Sequence, residues 1–358
     1  MKNNLIKITL KKIIRKMLYI REYRPIKFQN NIIQKRQIFS CVGGNLNPSK
    51  VFYVIQRHPG YGIFSNLTFV INHIKIALDM GFIPIVDMQN YTTIYNEDKK
   101  IFNTHNSWEY YYEQISPYSL EEVYKSKNII ITSNIFYSEI DFSYNITDKK
   151  ELLDIFHKYI KVKKNKLKTI QYLKKKLFQN KKILGVHFRG TGYKIARNPF
   201  PVTVNQMINK INEILNKENY EKIFLMTEDS YNFKKIKEYY GNKVVSLNTT
   251  VRGKTNQEVY DIYPRDRHRY KLGRDVLMET YLLSHCDGFF DIPTNPRTIS
   301  FALNLNPRQK RYTIDNGFNN VWRYFGYLRY TWFFKSILPE KFGGFKNNKK
   351  PIAKSINS

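Results

Sequence analysis

The chain has 358 residues, of which 42% are hydrophobic and 15% aromatic, a composition that supports a large folded core and excludes an intrinsically disordered protein. Its 60 lysines and arginines against 29 acidic residues give a net charge of +31, which indicates an anionic partner: nucleic acid, acidic lipid or a phosphorylated small molecule. Its two cysteines form no CxxC pair and no HExxH sequence occurs, which argues against a zinc centre and a disulfide framework and favours a reducing compartment.

Residues 1–45 are predicted to form a basic amphipathic arm. Between residues 2 and 20, apolar residues and cations alternate so that a helix would carry them on opposite faces. Such a helix is typical of a membrane-surface anchor, and also of an ordinary surface helix packed on its own domain. The membrane interpretation predicts a cytoplasmic protein with peripheral contact to the anionic inner face of a membrane. No uninterrupted apolar stretch reaches the length of a membrane span.

Residues 46–178 are predicted to form a first Rossmann-like domain. A strand at 51–56 leads into a glycine-rich loop that contains Gly62, and Ser65 and Asn66 are placed to cap a helix at 67–80. Gly81 ends that helix, and a second strand follows at 83–87. Strand, loop, helix and strand together make a βαβ unit, although the loop lacks the GxGxxG spacing of dinucleotide-binding proteins.

The rest of this first domain is polar and aromatic before it becomes helical. Residues 91–114 place Trp108 beside Glu97 and Glu109, a combination that suits sugar faces and equally a packed aromatic loop. A short helix at 120–124 and a strand at 129–132 come next. Residues 151–178 are mostly helical and lysine-rich, and they are predicted to connect the two domains.

Residues 179–310 are predicted to form a second Rossmann-like domain. A buried strand at 183–187 ends at His187 and runs into a turn made by Arg189, Gly190, Thr191 and Gly192. The two glycines allow a sharp turn and a close approach to a ligand, and the planar guanidinium of Arg189 suits a phosphate. The alternative is a strand exit that carries a surface arginine.

Further α/β alternation follows this strand. Helices are predicted at 204–216, 231–240 and 275–284, with a last helix through 303 after Thr294 and Asn295, and strands at 223–226, from 244 and at 288–291. Between them, residues 247–272 form a polar loop whose arginines either reach an anionic ligand or form a solvated basic surface: Arg252, Arg265, Arg267 and Arg269. Cys286 is predicted to pack in the core.

Residues 311–358 are predicted to be an aromatic and basic tail. Tryptophans, tyrosines and phenylalanines alternate with arginines and lysines between 321 and 345. Three interpretations stay open for this tail: packing against the first domain, contact with a membrane headgroup layer, and binding of single-stranded nucleic acid.

Several of these segments resemble a known family. The sequence GVHFRGT, residues 185–191, resembles the HxRRTD-type motif of the α-1,6-fucosyltransferases, nodulation fucosyltransferases and protein O-fucosyltransferases. Thr227-Glu228-Asp229 is similar to their second motif, and residues 276–287 with Thr294-Asn295 to their third. The loop HPGYGIFSN is similar to that of bacterial relatives. The resemblance covers residues 50–306 and implies an α/β fold of GT-B type, two Rossmann-like domains facing across a cleft.

The resemblance also implies roles for single residues. Arg189 would grip the pyrophosphate of GDP-fucose, and Glu228 and Asp229 are placed with it in the catalytic set. A carboxylate would deprotonate the acceptor hydroxyl, and Glu228, Asp229, Glu97 and Glu109 stay open for that role. The donor site would be formed by His187, Gly190, Thr191, Gly192, Glu279, Thr294 and Asn295, with Glu279 reading the guanine. The acceptor side would use Gly62, Ser65, Asn66 and Glu97. No metal or other cofactor is implied. The sequence departs from the family at Gly190 and Gly192, where the family has arginine and aspartate, and at Glu279, where it has aspartate.

The predicted activity is therefore inverting transfer of fucose from GDP-fucose to a hydroxyl of a glycan or a lipid-linked glycan. The departures motivate one alternative, a transferase that uses another nucleotide sugar. The net charge motivates a second, a non-catalytic basic protein that binds nucleic acid or an anionic surface. Nucleic acid is disfavoured as a partner because the chain has no RGG tract, C2H2 pattern or basic heptad zipper.

Overall fold

A computed structural model describes residues 25–28, 31–34, 38–40, 44–57, 62–132, 150–190, 202–254, 259–314 and 316. The predicted helix at 2–20, the loop residues 58–61, Thr191, Gly192 and the tail beyond residue 316 lie outside these ranges. Strands β1 (Pro25–Phe28) and β2 (Asn31–Gln34) form a two-stranded antiparallel sheet.

The first large sheet has four strands in the order β3, β6, β4, β5. Strands β4, β5 and β6 are parallel to one another, and only the edge strand β3 runs antiparallel. The strands are β3 (Ile38–Ser40), β4 (Leu46–Ile55), β5 (Ile83–Val86) and β6 (Ser126–Thr132). The predicted βαβ unit is confirmed, because helix α1 (Ile63–Asp79) connects β4 to its parallel neighbour β5.

The second large sheet has five parallel strands in the order β11, β10, β7, β8, β9. They are β7 (Ile183–His187), β8 (Lys222–Met226), β9 (Val244–Val245), β10 (Gly288–Asp291) and β11 (Lys310–Thr313). Strand β7 lies at the centre and is buried along its whole length, which explains its continuous apolar sequence. The predicted α/β class is therefore confirmed, with one mainly parallel sheet in each half of the chain.

Helices connect and cover these strands. Helix α2 (Leu120–Tyr124) precedes β6, and α3 (Lys150–Tyr159) and α4 (Lys164–Phe178) lead from the first sheet to the second. The second sheet carries α5 (Val204–Lys217), α6 (Ser230–Tyr240), α7 (His268–His285) and α8 (Asn295–Leu303). Short 3-10 turns occur at Ser107–Tyr110, Gly241–Lys243 and Val259–Asp261. None of the described helices is both long and apolar enough to cross a bilayer.

Two helices begin earlier than the sequence predicts. Helix α1 begins at Ile63 rather than Leu67, because Ile63 and Phe64 are buried in the core cluster that the helix covers. Helix α7 begins at His268 rather than Asp275, directly after Arg267, whose φ of 50° is left-handed. No side chain of its own segment caps α7, so the usual sequence signal for a helix start is missing there.

The two halves share one hydrophobic cluster. Side chains of α1 and of the segment around Tyr110 pack together with residues of the second half: Tyr270, Leu272, Leu277, Ile299 and Ala302. Strand β11, which the sequence analysis placed at the start of the tail, pairs in parallel with β10 and belongs to the second sheet. Its side chains are mostly exposed, so this edge strand lacks the apolar run that marks the other strands.

Candidate functional site

A cleft lies at the carboxyl edge of the second sheet, where parallel α/β sheets bind ligands. Its space, including the part that is open to solvent, is about 470 Å³, and it is bordered by the ends of β7 and β8, the segment around Thr250, and helices α7 and α8. Its polar lining residues are His187, Arg189, Thr227, Glu228, Thr250, Asp275 and Glu279. Residues that lie far apart in the sequence therefore meet at one edge.

His187 connects the end of β7 to the start of α8. Its ring is buried, and its Nδ1 lies 3.1 Å from the hydroxyl of Thr294. Thr294 is the N-cap of α8 and accepts a hydrogen bond from the Arg297 N–H, while Asn295 is the first residue of the helix. Burial, assisted by the positive charge of Arg189, lowers the pKa of His187 to about 3, so the ring is neutral near pH 7. This contact fixes the N-terminus of α8 beside the cleft.

Glu228 holds the turn after β7 in place. One oxygen of its carboxylate, Oε1, accepts a hydrogen bond from the Gly190 N–H at 2.9 Å and lies 3.3 Å from Nε of Arg189. The Arg189 side chain is 38% exposed and that of Glu228 only 15% exposed, so the guanidinium reaches the open part of the cleft. A backbone N–H and a guanidinium thus converge on one negatively charged oxygen at the strand end.

Asp229 caps a helix rather than facing the cleft. Its buried carboxylate accepts hydrogen bonds from the backbone N–H groups of Tyr231 and Asn232, which begin helix α6. Gly190 packs directly on it, because a Cβ at position 190 would lie 2.2 Å from the Cβ of Asp229. The close approach that the sequence predicted for Gly190 is therefore to Asp229. The structure does not support a catalytic role for Asp229, since its carboxylate is already committed to the helix terminus.

Two carboxylates of α7 lie one helical turn apart on the cleft wall. Glu279 is buried and accepts a 2.7 Å hydrogen bond from the Thr250 hydroxyl. Burial raises the pKa of Glu279 to about 8. Asp275 is also buried but is paired with Arg265 at 2.8 Å and with Arg274 at 2.7 Å. The sequence analysis used Asp275 only to begin a helix, although its i, i+4 spacing from Glu279 predicts a shared face.

The candidate residues of the first half have structural partners. Ser65 and Asn66 lie inside the first turn of α1 and do not cap it; Gly62 is the N-cap, and the Asn66 N–H donates to its carbonyl. The hydroxyl of Tyr95 accepts the Ile63 N–H at 2.8 Å and takes the place of a side-chain cap. Burial raises the pKa of Tyr95 to about 12, and Arg189 acts in the opposite direction, so Tyr95 is close to the cleft arginine. Tyr95 was not predicted.

Glu97 lies between the two halves rather than at an acceptor site. Its carboxylate accepts the backbone N–H of Tyr270 at 2.8 Å, in the first turn of α7. The hydroxyl of Tyr111 donates to the carbonyl of the same tyrosine at 2.9 Å. The ammonium of the buried Lys166 donates to its hydroxyl at 2.7 Å. Three segments that precede the second sheet thus hold Tyr270, and Glu97 supplies the cap that α7 lacks locally.

The remaining sequence candidates are also engaged. Glu109 accepts hydrogen bonds from Asn106 and Gln114 within its own loop. Of the four loop arginines, Arg265 pairs with Asp275 in the cleft wall, Arg269 contacts Tyr263 and the Asn96 carbonyl, Arg267 lies near Asp266, and Arg252 stacks 3.9 Å from the ring centroid of Phe233. Cys286 is buried in the core against Gly185, as predicted. In the described residues no group of three or more histidine, cysteine, aspartate or glutamate side chains could hold a metal ion.

Comparisons with known proteins give similarities of structure only. No protein-family model matches the chain, and no curated protein matches it in sequence. The chain is similar to the NodZ α-1,6-fucosyltransferase co-crystallised with GDP, with 16% identity and a TM-score of 0.47 over 70% of this chain and 91% of that one. It is similar to the fucosyltransferase NodZ from Bradyrhizobium, with 14% identity and a TM-score of 0.45 over 70% and 92%.

A third similar structure is that of POFUT1 in complex with GDP, with 9% identity and a TM-score of 0.41 over 74% of this chain and 99% of that one. These proteins are fucosyltransferases, as are those whose motifs the sequence resembles. At such identities the side chains of the cleft, and not the likenesses, decide what this chain can bind.

Proposed function

We propose that the chain is a glycosyltransferase that binds a nucleoside diphosphate sugar in the cleft of the second sheet, with GDP-fucose as the donor. One observation carries the proposal: the Arg189 guanidinium and the Gly190 N–H converge on a single anionic oxygen beside the capped N-terminus of α8. Helix N-termini and arginine forks are the groups that proteins use to bind phosphates.

The diphosphate of the nucleotide sugar displaces the Glu228 carboxylate and binds the Arg189 guanidinium and the Gly190 N–H in its place. Its negative charge grows as the bond between the sugar and the phosphate oxygen breaks, and Arg189 with the Gly190 N–H stabilises that charge. In this mechanism Arg189, rather than a metal ion, supplies the counter-charge. The neutral ring of His187 keeps Thr294, and with it the first turn of α8, at the edge of the cleft.

Glu279 reads the base of the donor. Guanine presents two neighbouring N–H donors, at N1 and N2, to which an ionised carboxylate is the complementary acceptor. Burial raises the pKa of Glu279 to about 8 in the free protein, so guanine binding releases the Glu279 proton and should strengthen as pH rises towards 8. Glu279 lies on the cleft wall and is held in position by the Thr250 hydroxyl. Its longer side chain, in place of the aspartate of the family that the sequence resembles, places the carboxylate one methylene deeper into the cleft.

The reaction that follows is an inverting displacement. The acceptor hydroxyl oxygen bonds to the anomeric carbon, the bond to the diphosphate breaks, and the nucleoside diphosphate leaves with the electron pair. The hydroxyl proton goes to a carboxylate. Glu228 takes this role, because the incoming diphosphate releases it from Arg189 and Gly190, whereas Glu97, Glu109 and Asp229 are committed to structural contacts.

The acceptor is a glycan or a lipid-linked glycan, and the protein works at the cytoplasmic face of a membrane. The support for this is in the sequence: a basic amphipathic arm at 1–45 and an aromatic, basic tail at 311–358. Gly190, where a cation is expected from the family, favours as a second candidate a transferase that uses a different nucleotide sugar.

Calorimetric titration tests the proposal. Wild type and Arg189→Ala are titrated with GDP, GDP-fucose, GDP-mannose and UDP-sugars, with Arg308→Ala as the control because Arg308 is an exposed arginine of the same half. We expect GDP and GDP-fucose to bind, and Arg189→Ala to weaken them by about ten- to a hundredfold, the usual effect of a lost charged hydrogen bond. Tighter binding of a UDP-sugar supports the second candidate. If wild type binds no nucleotide, the proposal is wrong and a basic binding protein is the better interpretation.

A further inference from the structure

Helix α4 has a solvent face that is basic throughout. Six of its 15 residues are lysines and none is acidic. Lys166 points inward to Tyr270, but Lys164, Lys168, Lys175 and Lys176 are exposed. At 100° per residue these four lie within one third of the helix circumference, along a length of about 18 Å. We call this set, together with Tyr172, the α4 basic face.

The general abundance of lysine along the chain does not explain this face. On helix α5, Lys210 and Lys217 both pair with Glu213, and on α6, Lys234 and Lys235 both pair with Glu238. By contrast, no lysine of α4 pairs with a carboxylate in the described part of the chain. Like charges four residues apart, such as Lys164 and Lys168, also destabilise a helix, and the helix dipole disfavours a cation in the first turn, where Lys164 lies. Lys175 and Lys176 lie in the last turn, where the dipole favours them. The cations of the first two turns are therefore the ones that an anionic partner would stabilise most.

An aromatic ring lies among these cations. Tyr172 is 62% exposed, and the ammonium of Lys176 lies 5.8 Å from its ring centroid. Leu167, 37% exposed, borders the same surface. Tyrosine side chains favour the headgroup layer of a bilayer, where the ring meets apolar groups and the hydroxyl meets water, and lysines there attract anionic lipids. Proteins that bind single-stranded nucleic acid instead stack successive bases on several rings, and this face offers one.

We propose that the α4 basic face is a docking surface for an anionic lipid bilayer. This contact lies in the folded body of the protein, apart from the arm and the tail, and it does not depend on the proposed function. The helix is anchored for this role from behind: Ile170 and Phe178 are buried against the second sheet, so the exposed lysines project from a rigid support.

Vesicle co-sedimentation of the full chain tests the proposal, with vesicles of phosphatidylcholine alone or mixed with phosphatidylglycerol. The test variant changes Lys164, Lys168, Lys175 and Lys176 to glutamine. The matched control changes Lys210, Lys217, Lys234 and Lys235 to glutamine, which alters the net charge by the same amount. We expect the test variant to bind anionic vesicles about tenfold more weakly or worse, and the control to change by less than about twofold.

A second variant, Tyr172→Ser, keeps every charge and should weaken binding by about two- to fivefold if the ring enters the headgroup layer. Circular dichroism and thermal melting establish that each variant is folded. Equal losses in the test and control variants would show that net charge alone governs binding, and the proposal would be overturned. It would also be overturned if the test variant kept its vesicle binding but lost binding to a single-stranded oligonucleotide.

Discussion

Glu228 accepts the Gly190 N–H and pairs with Arg189 through one oxygen. In the proposed function the Gly190 N–H and the Arg189 guanidinium bind the diphosphate of the nucleotide sugar. The Glu228 carboxylate and the diphosphate therefore compete for the same two groups. If Glu228 only holds Arg189 in position, its substitution should weaken GDP binding. If the diphosphate displaces Glu228, the same substitution should strengthen GDP binding. The direction of the change in affinity therefore distinguishes the two roles.

Glu228→Gln should bind GDP several-fold more tightly than wild type and transfer sugar at least tenfold more slowly. The amide removes a negative charge that repels the diphosphate, but it cannot accept the acceptor proton. Calorimetry measures the first effect and single-turnover transfer the second. Weaker GDP binding by this variant would contradict displacement and assign Glu228 to the support of Arg189. If the wild-type protein does not bind GDP, the proposed function itself is contradicted.

Gly190→Ala should reduce the free energy of unfolding by about 1–3 kcal/mol, the usual effect of overpacking. The new Cβ would lie 2.2 Å from Cβ of Asp229, and the N-terminus of α6 would have to shift. Urea denaturation measures the change. Gly62→Ala is the control, because the nearest atom to its Cβ is 3.9 Å away, and it should change stability by less than about 1 kcal/mol. Equal stabilities of the two variants would contradict this packing.

Only some of the residues predicted from the family resemblance lie at the cleft. His187, Arg189, Glu228 and Glu279 line one cleft and Thr294 borders it, because each follows a strand end or lies on a helix facing that edge. Asp229 and Glu97 were also chosen for their chemistry, but an acidic residue at a helix start is equally a cap, and only the folded chain shows which role it has. Tyr95 and Asp275 lie in no sequence motif that would have marked them as residues near the cleft.

At the scale of elements, apolar runs were sufficient to predict most of the fold. The strands that became β5, β7, β8 and β10 were predicted to within one residue at each end, because each is a short and largely buried apolar run. The edge strand β11 was missed, since its side chains are mostly exposed and give no apolar run to mark it. The first two turns of α7 were missed because their cap, Glu97, comes from the other half of the chain.

Tyr270→Phe should destabilise the protein by about 1–3 kcal/mol, the usual effect of leaving a buried polar group unpaired. The lost hydroxyl is the hydrogen-bond partner of Lys166, a buried ammonium whose pKa is lowered by burial to about 8. Tyr263→Phe is the control, because the Tyr263 hydroxyl binds Arg269 at an exposed site and should contribute less than about 0.5 kcal/mol. Similar values for both variants in chemical denaturation would show that Lys166 does not depend on Tyr270.

At the scale of the whole molecule, buried titratable groups set how stability depends on pH. Burial raises the pKa of Glu279 to about 8 and that of Asp291 to about 7, so between pH 4.5 and 7 the folded state holds more protons on both than the unfolded state does. Burial lowers the pKa of His187 to about 3 and that of His285 to about 4, so up to pH 6.5 these groups act in the opposite direction. Stability should therefore fall as pH rises from 6.5 to about 7.5; closer to pH 8, Lys166, whose pKa is lowered by burial to about 8, loses its proton in the folded state and offsets the fall.

The variant Glu279→Gln, studied without ligand, measures how much the titration of Glu279 contributes to the pH dependence of stability. The variant has no titrating group at position 279, so its stability relative to wild type should improve from pH 4.5 to pH 8, by up to about 1.4 kcal/mol per pH unit, and level off above pH 8. Thermal melting across this range, converted to free energies of unfolding, gives the two curves. Parallel curves would mean that Glu279 is ionised in the folded protein at neutral pH.

The hydrophobic cluster between the two halves limits which chimeras of this chain can fold. In this cluster α1 packs together with four side chains of the second half: Leu272, Leu277, Ile299 and Ala302. A chimera that takes its first half from a different protein of similar fold would expose these four apolar side chains and leave both backbone groups of Tyr270 without Glu97 and Tyr111. We therefore expect the two halves to unfold together. If the proposed function holds, substitutions around the cleft should alter the acceptor preference, whereas exchange of a whole half should unfold the protein.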